Sequence, residues 1–116
     1  GQYLKLFSEI CPLCKSILYQ NHDATKIRYY ENDDEYLPHI DLFNYTAITF
    51  FYKEPKFFNG GNLYFSEYNY TFKCNNNFMI LFPSCMQHAS TKIKMKNESF
   101  CSGNGKYSMM QFMNLI

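Results

Sequence analysis

Two short segments of the chain hold the side chains best suited to bind a metal ion. One is Pro38-His39-Ile40-Asp41, and the other, far downstream, ends in His88. Alternate residues of a β-strand face the same side, so the His39 imidazole and the Asp41 carboxylate can be presented together. A histidine from a neighbouring strand would complete three ligands and leave the opposite face of the metal open, as non-haem Fe(II) oxygenases require. The alternative is a solvent-exposed strand end where His39 and Asp41 simply hydrogen-bond each other.

A second motif, Cys11-Pro12-Leu13-Cys14, opens an apparent helix. A Cys-x-x-Cys at a helix N-terminus lowers the thiol pKa and suits disulfide exchange. The fold of a thiol–disulfide oxidoreductase also needs a parallel βαβ pattern, whereas the residues after Ala24 read almost wholly as strands. We therefore favour two thiols that pack a supporting helix, and keep a thiol oxidoreductase using Cys11 and Cys14 as an alternative function.

The amino-acid composition limits which cellular compartment and which binding partners we expect. The 116 residues include five cysteines, an odd number that argues against a complete set of intramolecular disulfides. We expect free thiols and a reducing, cytoplasmic compartment; the cysteines are Cys11, Cys14, Cys74, Cys85 and Cys101. A formal charge of +1 gives no electrostatic reason to expect nucleic acid or an anionic membrane as a partner. No apolar run approaches the roughly 20 residues that span a bilayer.

The elements that must position these side chains read as a helical N-terminus followed by many short strands. Residues 2–20 have apolar side chains at helical spacing, interrupted by Pro12, and residues 21–25 read as a turn. The apolar positions expected on one helical face are Leu4, Phe7, Ile10, Leu13, Ile17 and Leu18. Strand-like runs cover residues 26–30, 38–42, 45–52, 62–65, 70–73, 78–82, 91–95 and 106–113. Short strands separated by regular turn signals predict a sandwich or barrel.

With these segments in order, the chain resembles the 2-oxoglutarate- and Fe(II)-dependent dioxygenases, specifically their prolyl-4-hydroxylase-like branch. The resemblance covers roughly residues 27–112 and rests on five segments. They are Arg28-Tyr29-Tyr30 before His39-Ile40-Asp41, Thr46-Ala47-Ile48-Thr49-Phe50-Phe51-Tyr52, Gly60-Gly61-Asn62-Leu63-Tyr64-Phe65, Phe82-Pro83-Ser84 before His88, and Gly105-Lys106-Tyr107-Ser108. Each segment alone is common, whereas five in the family's order are not. The stretch between His88 and Lys106 is longer than is usual in the family and adds a loop around residues 96–105.

The resemblance implies a role for each matched residue. His39, Asp41 and His88 would be the iron ligands. Lys106 would pair with the distal carboxylate of 2-oxoglutarate, because an unpaired carboxylate buried in a barrel is very costly.

Four further positions would contact the co-substrate by the same resemblance. Ser108 could donate its hydroxyl to the carboxylate that Lys106 binds. A phenol from Tyr29 or Tyr52 could bond that carboxylate too, and Leu63 would supply an apolar wall. Ordinary core packing is the alternative for either tyrosine in a chain with 11 Tyr.

The fold that the resemblance implies is mainly β, a double-stranded β-helix (jelly roll) with helical support from the N-terminus. We expect a single domain over residues 1–116, with a supporting helix at 1–20 and the jelly-roll core at 26–113. The implied enzyme uses Fe(II), 2-oxoglutarate and O2, with ascorbate as a supporting reductant. It hydroxylates a C–H bond and releases succinate and CO2.

The branch of the family points to prolyl residues of a peptide or protein, Pro-rich chains among them, as the substrate. The acidic run Asp33-Asp34-Glu35 beside the site would favour a basic substrate, or is an ordinary solvated loop. A non-catalytic jelly-roll binding module remains an alternative function alongside thiol exchange.

Overall fold

The computed structural model of the protein describes residues 2–96 and 103–116. Its N-terminal part consists of helix α1 (Gln2–Ile10) and a 3₁₀ helix (Pro12–Tyr19). Pro12 begins the second helix, where a missing N–H leaves no helical bond unmade, so the predicted break is confirmed. In these ranges, no helix is both long and apolar enough to cross a membrane. Cys101 and most of the loop expected at 96–105 lie outside the described residues.

Strands make up most of the rest of the described chain. They are β1 (His22–Tyr30), β2 (Tyr36–His39), β3 (Tyr45–Phe51), β4 (Phe58–Asn59), β5 (Leu63–Phe65), β6 (Tyr70–Phe72), β7 (Met79–Pro83), β8 (His88–Ser90), β9 (Lys94–Met95) and β10 (Lys106–Asn114). Two four-stranded antiparallel sheets have the orders β1-β10-β3-β7 and β2-β8-β5-β6, and β4 pairs with β9. Because the chain passes repeatedly from one sheet to the other, the mainly β jelly roll predicted from the sequence is confirmed.

The hydrophobic core lies between the two four-stranded sheets. The first sheet contributes Tyr30, Ile48 and Phe50, and the second contributes Leu63 and Phe65, all with less than a tenth of their surface exposed. Alternation along the strands puts these side chains on the inner faces and leaves their neighbours outside. The cavity described below is the part of this inter-sheet space that polar side chains line.

The two helices cover the outer face of the first sheet. Ile17, only 1% exposed, and Cys14 pack against Tyr45 of β3. The single apolar face predicted for residues 2–20 is wrong in part, because Leu13 is 95% exposed and Ile10 is 75% exposed. The first helix ends at Ile10 and Cys11 has non-helical backbone angles (φ −122°, ψ 88°), so the apolar face of the second helix does not continue that of the first.

Two strand predictions are also corrected. The turn expected at 21–25 is mostly strand, because β1 pairs with β10 along its whole length, beginning with His22 opposite Asn114. The strand expected at 78–82 begins one residue later, as β7, and Met79 is 48% exposed because β7 is the edge of its sheet.

Candidate metal centre

His39, Asp41 and His88 lie together where β2 and β8 meet. The two strands pair with His39 directly opposite His88, and Asp41 follows immediately after β2 ends. The ligand atoms of the three side chains all lie within 4.8 Å of one another. Asp41 places Oδ1 3.4 Å from His39 Nε2 and Oδ2 3.3 Å from His88 Nε2. The three residues predicted as metal ligands are therefore brought to one point, although Asp41 lies just beyond the strand instead of in it.

Local backbone features explain how β2 delivers its histidine. Pro38 cannot donate a ladder hydrogen bond, and it lies in a strand at the edge of its sheet, where this loss is tolerated. The register between β2 and β8 shifts between Tyr36 and His39, as at a β-bulge. Such irregularities re-aim a side chain at the rim of a barrel. Beyond the strand, the Asp41 backbone N–H donates to the Ser84 carbonyl at 3.1 Å and holds the carboxylate in place.

Both histidines are held in the tautomer that a metal needs. The Nδ1 atom of His39 lies 2.8 Å from the Leu37 carbonyl, and that of His88 lies 2.8 Å from the Met86 carbonyl. A carbonyl only accepts, so each Nδ1 carries a proton and each Nε2 is left as the ring atom that can bind a metal. Both Nε2 atoms face Asp41. Such outer hydrogen bonds fix ring orientation and raise the basicity of metal-binding histidines.

The Asp41 carboxylate is similarly supported. Its Oδ2 atom accepts a hydrogen bond from the Thr46 hydroxyl at 2.9 Å, and Thr46 in turn lies 2.7 Å from the Ser84 hydroxyl. Burial raises the pKa of Asp41, but the hydrogen bonds from His88 and Thr46 and the charges of both histidines outweigh it, so the pKa is lowered. Asp41 is therefore an anion at neutral pH, ready to bind a cation.

The chemistry of this donor set fits a divalent first-row metal. Two neutral imidazole nitrogens and one carboxylate oxygen are the ligands that non-haem Fe(II) sites use, with the remaining coordination positions open. His88 is 3% exposed and its Nε2 lies 3.3 Å from Asp41 Oδ2, so the two groups meet inside the protein. The residues present would hold Fe(II) without rearrangement of the histidine tautomers.

A cavity of about 50 Å³ adjoins the three ligands, several times the volume that one ordered water needs. Its polar lining consists of the three ligands together with Arg28, Tyr30, Tyr36, Thr46, Asn62, Ser90, Lys106 and Ser108. Its apolar lining includes Ile48, Phe50, Leu63, Ala89, Met110 and Phe112.

Lys106, at the start of β10, places a positive charge inside this cavity. Only 1% of the residue is exposed. Its Nζ donates to the Gly61 carbonyl at 3.1 Å and to the Ser90 hydroxyl at 2.6 Å, and lies 4.2 Å from the centre of the Tyr30 ring. Burial is the main cause that lowers the pKa of Lys106 to about 8. Among residues 2–96 and 103–116 no carboxylate pairs with it, so this cation is available to an anionic ligand.

The Gly60-Gly61 turn makes room for that lysine. Gly61 has a φ of +68°, and a Cβ there would lie 3.1 Å from the Lys106 side chain and 3.2 Å from Ile93. A larger residue would have to displace the lysine from its place in the cavity, because both contacts are tighter than ordinary van der Waals distance. The glycine pair noted in the sequence thus shapes the cavity as well as the turn.

The other predicted co-substrate contacts divide into two groups. Ser108 and Leu63, each 3% exposed, line the cavity. Tyr29 does not, because side chains alternate along β1 and Tyr29 faces outward, 37% exposed, with its hydroxyl donating to Glu31 at 2.9 Å. Tyr52 follows the end of β3 and packs edge-on against Phe58, with ring centres 5.5 Å apart. The structure therefore places both tyrosines outside the cavity lining.

Tyr30 and Tyr36 are the tyrosines that line the cavity instead. Tyr30 pairs with Lys106 in the β1–β10 register, and strand alternation from the inward Lys106 would have identified it. Tyr36 begins β2 with its ring centre 4.2 Å from that of His39. Burial raises the pKa of Tyr30, so its hydroxyl stays protonated and can donate to an anion.

The two N-terminal cysteines lie away from the cavity, under the helices on the outer face of the first sheet. The Cys11 Sγ donates to the Cys14 Sγ at 3.2 Å. Burial first, and then the hydrogen bond and charge of Cys11, raise the pKa of Cys14 to about 11. At neutral pH Cys14 is a protonated thiol and a poor nucleophile. The geometry therefore favours a packing role over thiol exchange.

Comparison with known family models and with curated proteins finds no match to this sequence. Among solved structures, a prolyl-4-hydroxylase from Pseudomonas putida is similar, with a TM-score of 0.62 at 16% identity over 99% of this chain and 65% of that one. A 2OG-Fe(II) oxygenase family oxidoreductase from Burkholderia pseudomallei has a TM-score of 0.59 at 11% identity, over 95% and 56%. An RmlC-like cupin from Desulfovibrio desulfuricans has 0.50 at 8% identity, over 80% and 77%.

These likenesses are to the fold. The chain spans 65% and 56% of the lengths of the two oxygenase structures, so it corresponds to part of each. Together with the geometry above, they define the class of this protein as a jelly roll that carries a candidate His–Asp–His metal centre.

Proposed function

We propose that this protein is an Fe(II)- and 2-oxoglutarate-dependent dioxygenase that hydroxylates prolyl residues of a peptide or protein. One observation carries the proposal: the three candidate metal ligands line the same cavity as the buried cation of Lys106, which has no carboxylate partner among the described residues. A metal site alone would fit many jelly-roll proteins. A metal site beside a buried lysine without a carboxylate partner fits one that binds a metal together with an anionic co-substrate.

His39, Asp41 and His88 would hold Fe(II), which when bound supplies the oxidising chemistry that couples O2 to the decarboxylation of 2-oxoglutarate. The overall reaction converts 2-oxoglutarate, O2 and a C–H bond into succinate, CO2 and a C–OH bond. The hydrogen bonds from Nδ1 to backbone carbonyls keep both histidine rings aimed at the site. Thr46 holds the Asp41 carboxylate, so little reorganisation is needed when a metal binds.

Lys106 would bind the distal carboxylate of 2-oxoglutarate. A charge-assisted hydrogen bond to a desolvated carboxylate is about twice as strong as a neutral one, and the buried position of Lys106 excludes competing water. The Ser108 hydroxyl lies on the same face of β10 two residues on, and the Tyr30 hydroxyl comes from the neighbouring strand. Either would add a second donor. Phe50 and Leu63 supply apolar walls that keep bulk water out.

The prolyl specificity rests on the resemblance of the sequence to the prolyl-4-hydroxylase-like branch, and the likeness to the Pseudomonas putida prolyl-4-hydroxylase fold is compatible with it. The first experiment incubates the protein with Fe(II), ascorbate, 2-oxoglutarate and a panel of prolyl peptides. We expect Fe(II)-dependent succinate and a peptide mass increase of one oxygen atom.

Two variants make this experiment specific. Asp41→Ala should lose succinate formation because it removes a ligand, whereas Asp33→Ala should keep it, since Asp33 pairs with Lys94 on the surface. Folded wild-type protein that binds neither Fe(II) nor 2-oxoglutarate would refute the dioxygenase proposal. Succinate formation without oxidation of any prolyl peptide would refute the prolyl specificity alone.

A further inference from the structure

Arg28 is a second cation of the cavity, and the function proposed above gives it no role. It is the only arginine of the chain. Arg28 lies two residues before Tyr30 on β1, and therefore on the same inward face, opposite Ser108 in the β1–β10 register. It is half-buried and lines the cavity.

The guanidinium is held next to the metal-ligating end of the cavity. Its central carbon lies 4.6 Å from the centre of the Tyr36 ring, and that ring lies 4.2 Å from the His39 ring, measured between centres. Stacking on an aromatic face restricts the plane of an arginine side chain. Arg28 also hydrogen-bonds the Tyr30 side chain, and the five N–H donors of a guanidinium leave others for an in-plane acceptor. Arg28 therefore lies on the side of the cavity where Tyr36 packs against His39, whereas Lys106 contacts Gly61 and Ser90.

Within the ranges that the structure describes, no carboxylate forms an ion pair with Arg28. Asp41 is occupied by His39 and His88. The nearby acidic run is occupied as well, since Asp33 pairs with Lys94 and Asp34 accepts the Glu31 backbone N–H at 2.8 Å. Asp33 and Asp34 therefore make contacts within their own loop and with Lys94, and the cavity lining holds two cations, Arg28 and Lys106, besides the Asp41 carboxylate.

We propose that Arg28 binds a carboxylate of the substrate, so that the substrate carries an acidic group beside the carbon to be hydroxylated. This inference rests on the proposed dioxygenase function and names the chemistry of its substrate. An arginine fork matches a carboxylate in bidentate geometry, and arginine stays charged at every pH of interest. An acidic substrate is the opposite of the basic one that the run Asp33-Asp34-Glu35 suggested. We favour the acidic substrate because Arg28 lines the cavity and the acidic run does not.

The acidic group has two possible sources, an acidic side chain next to the proline or the terminal carboxylate of the chain. One set of peptides therefore has blocked ends and differs only at the residue beside proline, which is Glu, Gln or Lys. A second set ends in proline, either as the free acid or as the amide. Peptide binding is measured by fluorescence anisotropy under anaerobic conditions with Fe(II) and 2-oxoglutarate present, which does not depend on turnover.

The compared proteins are the wild type, Arg28→Gln, Arg28→Lys and Lys26→Gln. Lys26 is an exposed lysine on the same strand outside the cavity, so its variant controls for lost charge. We expect one acidic peptide to bind about tenfold to a hundredfold more tightly than its neutral partner, the range expected of a charge-assisted bond. Arg28→Gln should abolish this preference, Arg28→Lys should retain part of it, and Lys26→Gln should leave it unchanged.

Several outcomes would overturn the inference. Equal binding of acidic and neutral peptides by the wild type would do so, as would a preference that survives Arg28→Gln. Weaker 2-oxoglutarate binding in Arg28→Gln, with peptide selectivity intact, would assign Arg28 to the co-substrate instead. If Arg28→Gln does not fold, the same comparison is made with Arg28→Lys, whose selectivity must still fall. If the wild type binds neither Fe(II) nor 2-oxoglutarate, the underlying dioxygenase function is refuted instead.

Discussion

Replacing Lys106 with methionine separates recognition of the co-substrate from binding of the metal. Methionine keeps most of the apolar stem and fills a position that is 1% exposed. It removes the ammonium, and with it the hydrogen bonds to Gly61 and Ser90. The three metal-ligating side chains are untouched.

The structure sets the magnitude of both effects. A pKa lowered from 10.5 to about 8 corresponds to roughly 3 kcal/mol of unfavourable burial of the charge, which the variant relieves. Leaving the Gly61 carbonyl or the Ser90 hydroxyl unsatisfied costs about 1–3 kcal/mol. These terms nearly cancel, so Lys106→Met should fold with near wild-type stability. A lost hydrogen bond to a charged group costs about 1.5–3 kcal/mol, so 2-oxoglutarate affinity should fall about tenfold to a hundredfold or more.

The assay is anaerobic calorimetric titration of 2-oxoglutarate into the Fe(II)-loaded proteins, with a separate Fe(II) titration of each. Lys94→Met is the matched control, because Lys94 is an exposed lysine that pairs with Asp33 on the surface. Wild-type affinity for 2-oxoglutarate in Lys106→Met would refute the reasoning. A loss in Lys94→Met instead would assign the carboxylate to that lysine.

Three further predictions concern the surroundings of the site. The folded-state pKa of Lys106, about 8, lies below the unfolded value of 10.5, so the stability of the ligand-free wild type relative to Lys106→Met should rise with pH between these values, measured by chemical denaturation of both proteins. Thr46→Val, which removes the hydrogen bond to Asp41, should weaken Fe(II) binding about tenfold to a hundredfold in a metal titration. Joint replacement of Cys11 and Cys14 by serine should leave 2-oxoglutarate turnover largely intact; a folded variant that binds iron without turnover would contradict this.

The class of fold and the candidate metal centre could be predicted in large part from short-range patterns. Short strands separated by regular turn signals indicated a sandwich or barrel, and the family resemblance narrowed this to a jelly roll. His39 and Asp41 are separated by a single residue, so only His88 had to arrive from a distant segment. The family's order of motifs supplied that partner, and the β2–β8 register places it directly opposite His39.

Tyr29 was predicted as a cavity residue instead of Tyr30 because the choice depends on strand register. Tyr29 and Tyr30 are adjacent and chemically alike, and a strand sends one inward and the other outward. Which of them faces in is decided by pairing with β10, where Tyr30 lies opposite Lys106. The prediction of one continuous helical face was wrong in part because the chain leaves helical geometry at Cys11, and Leu13 of the second helix lies in solvent.

The central claim is that one cavity binds a metal through His39, Asp41 and His88 and a dicarboxylate through Lys106. The most direct test is the anaerobic titration of 2-oxoglutarate into wild-type protein with and without Fe(II), alongside Asp41→Ala and Lys106→Met. We predict one 2-oxoglutarate per chain, bound tightly only when Fe(II) is present. Asp41→Ala should lose the dependence on Fe(II), and Lys106→Met should keep Fe(II) binding but bind 2-oxoglutarate weakly. Absence of saturable binding to the wild type, or equal binding by all three proteins, would contradict the account.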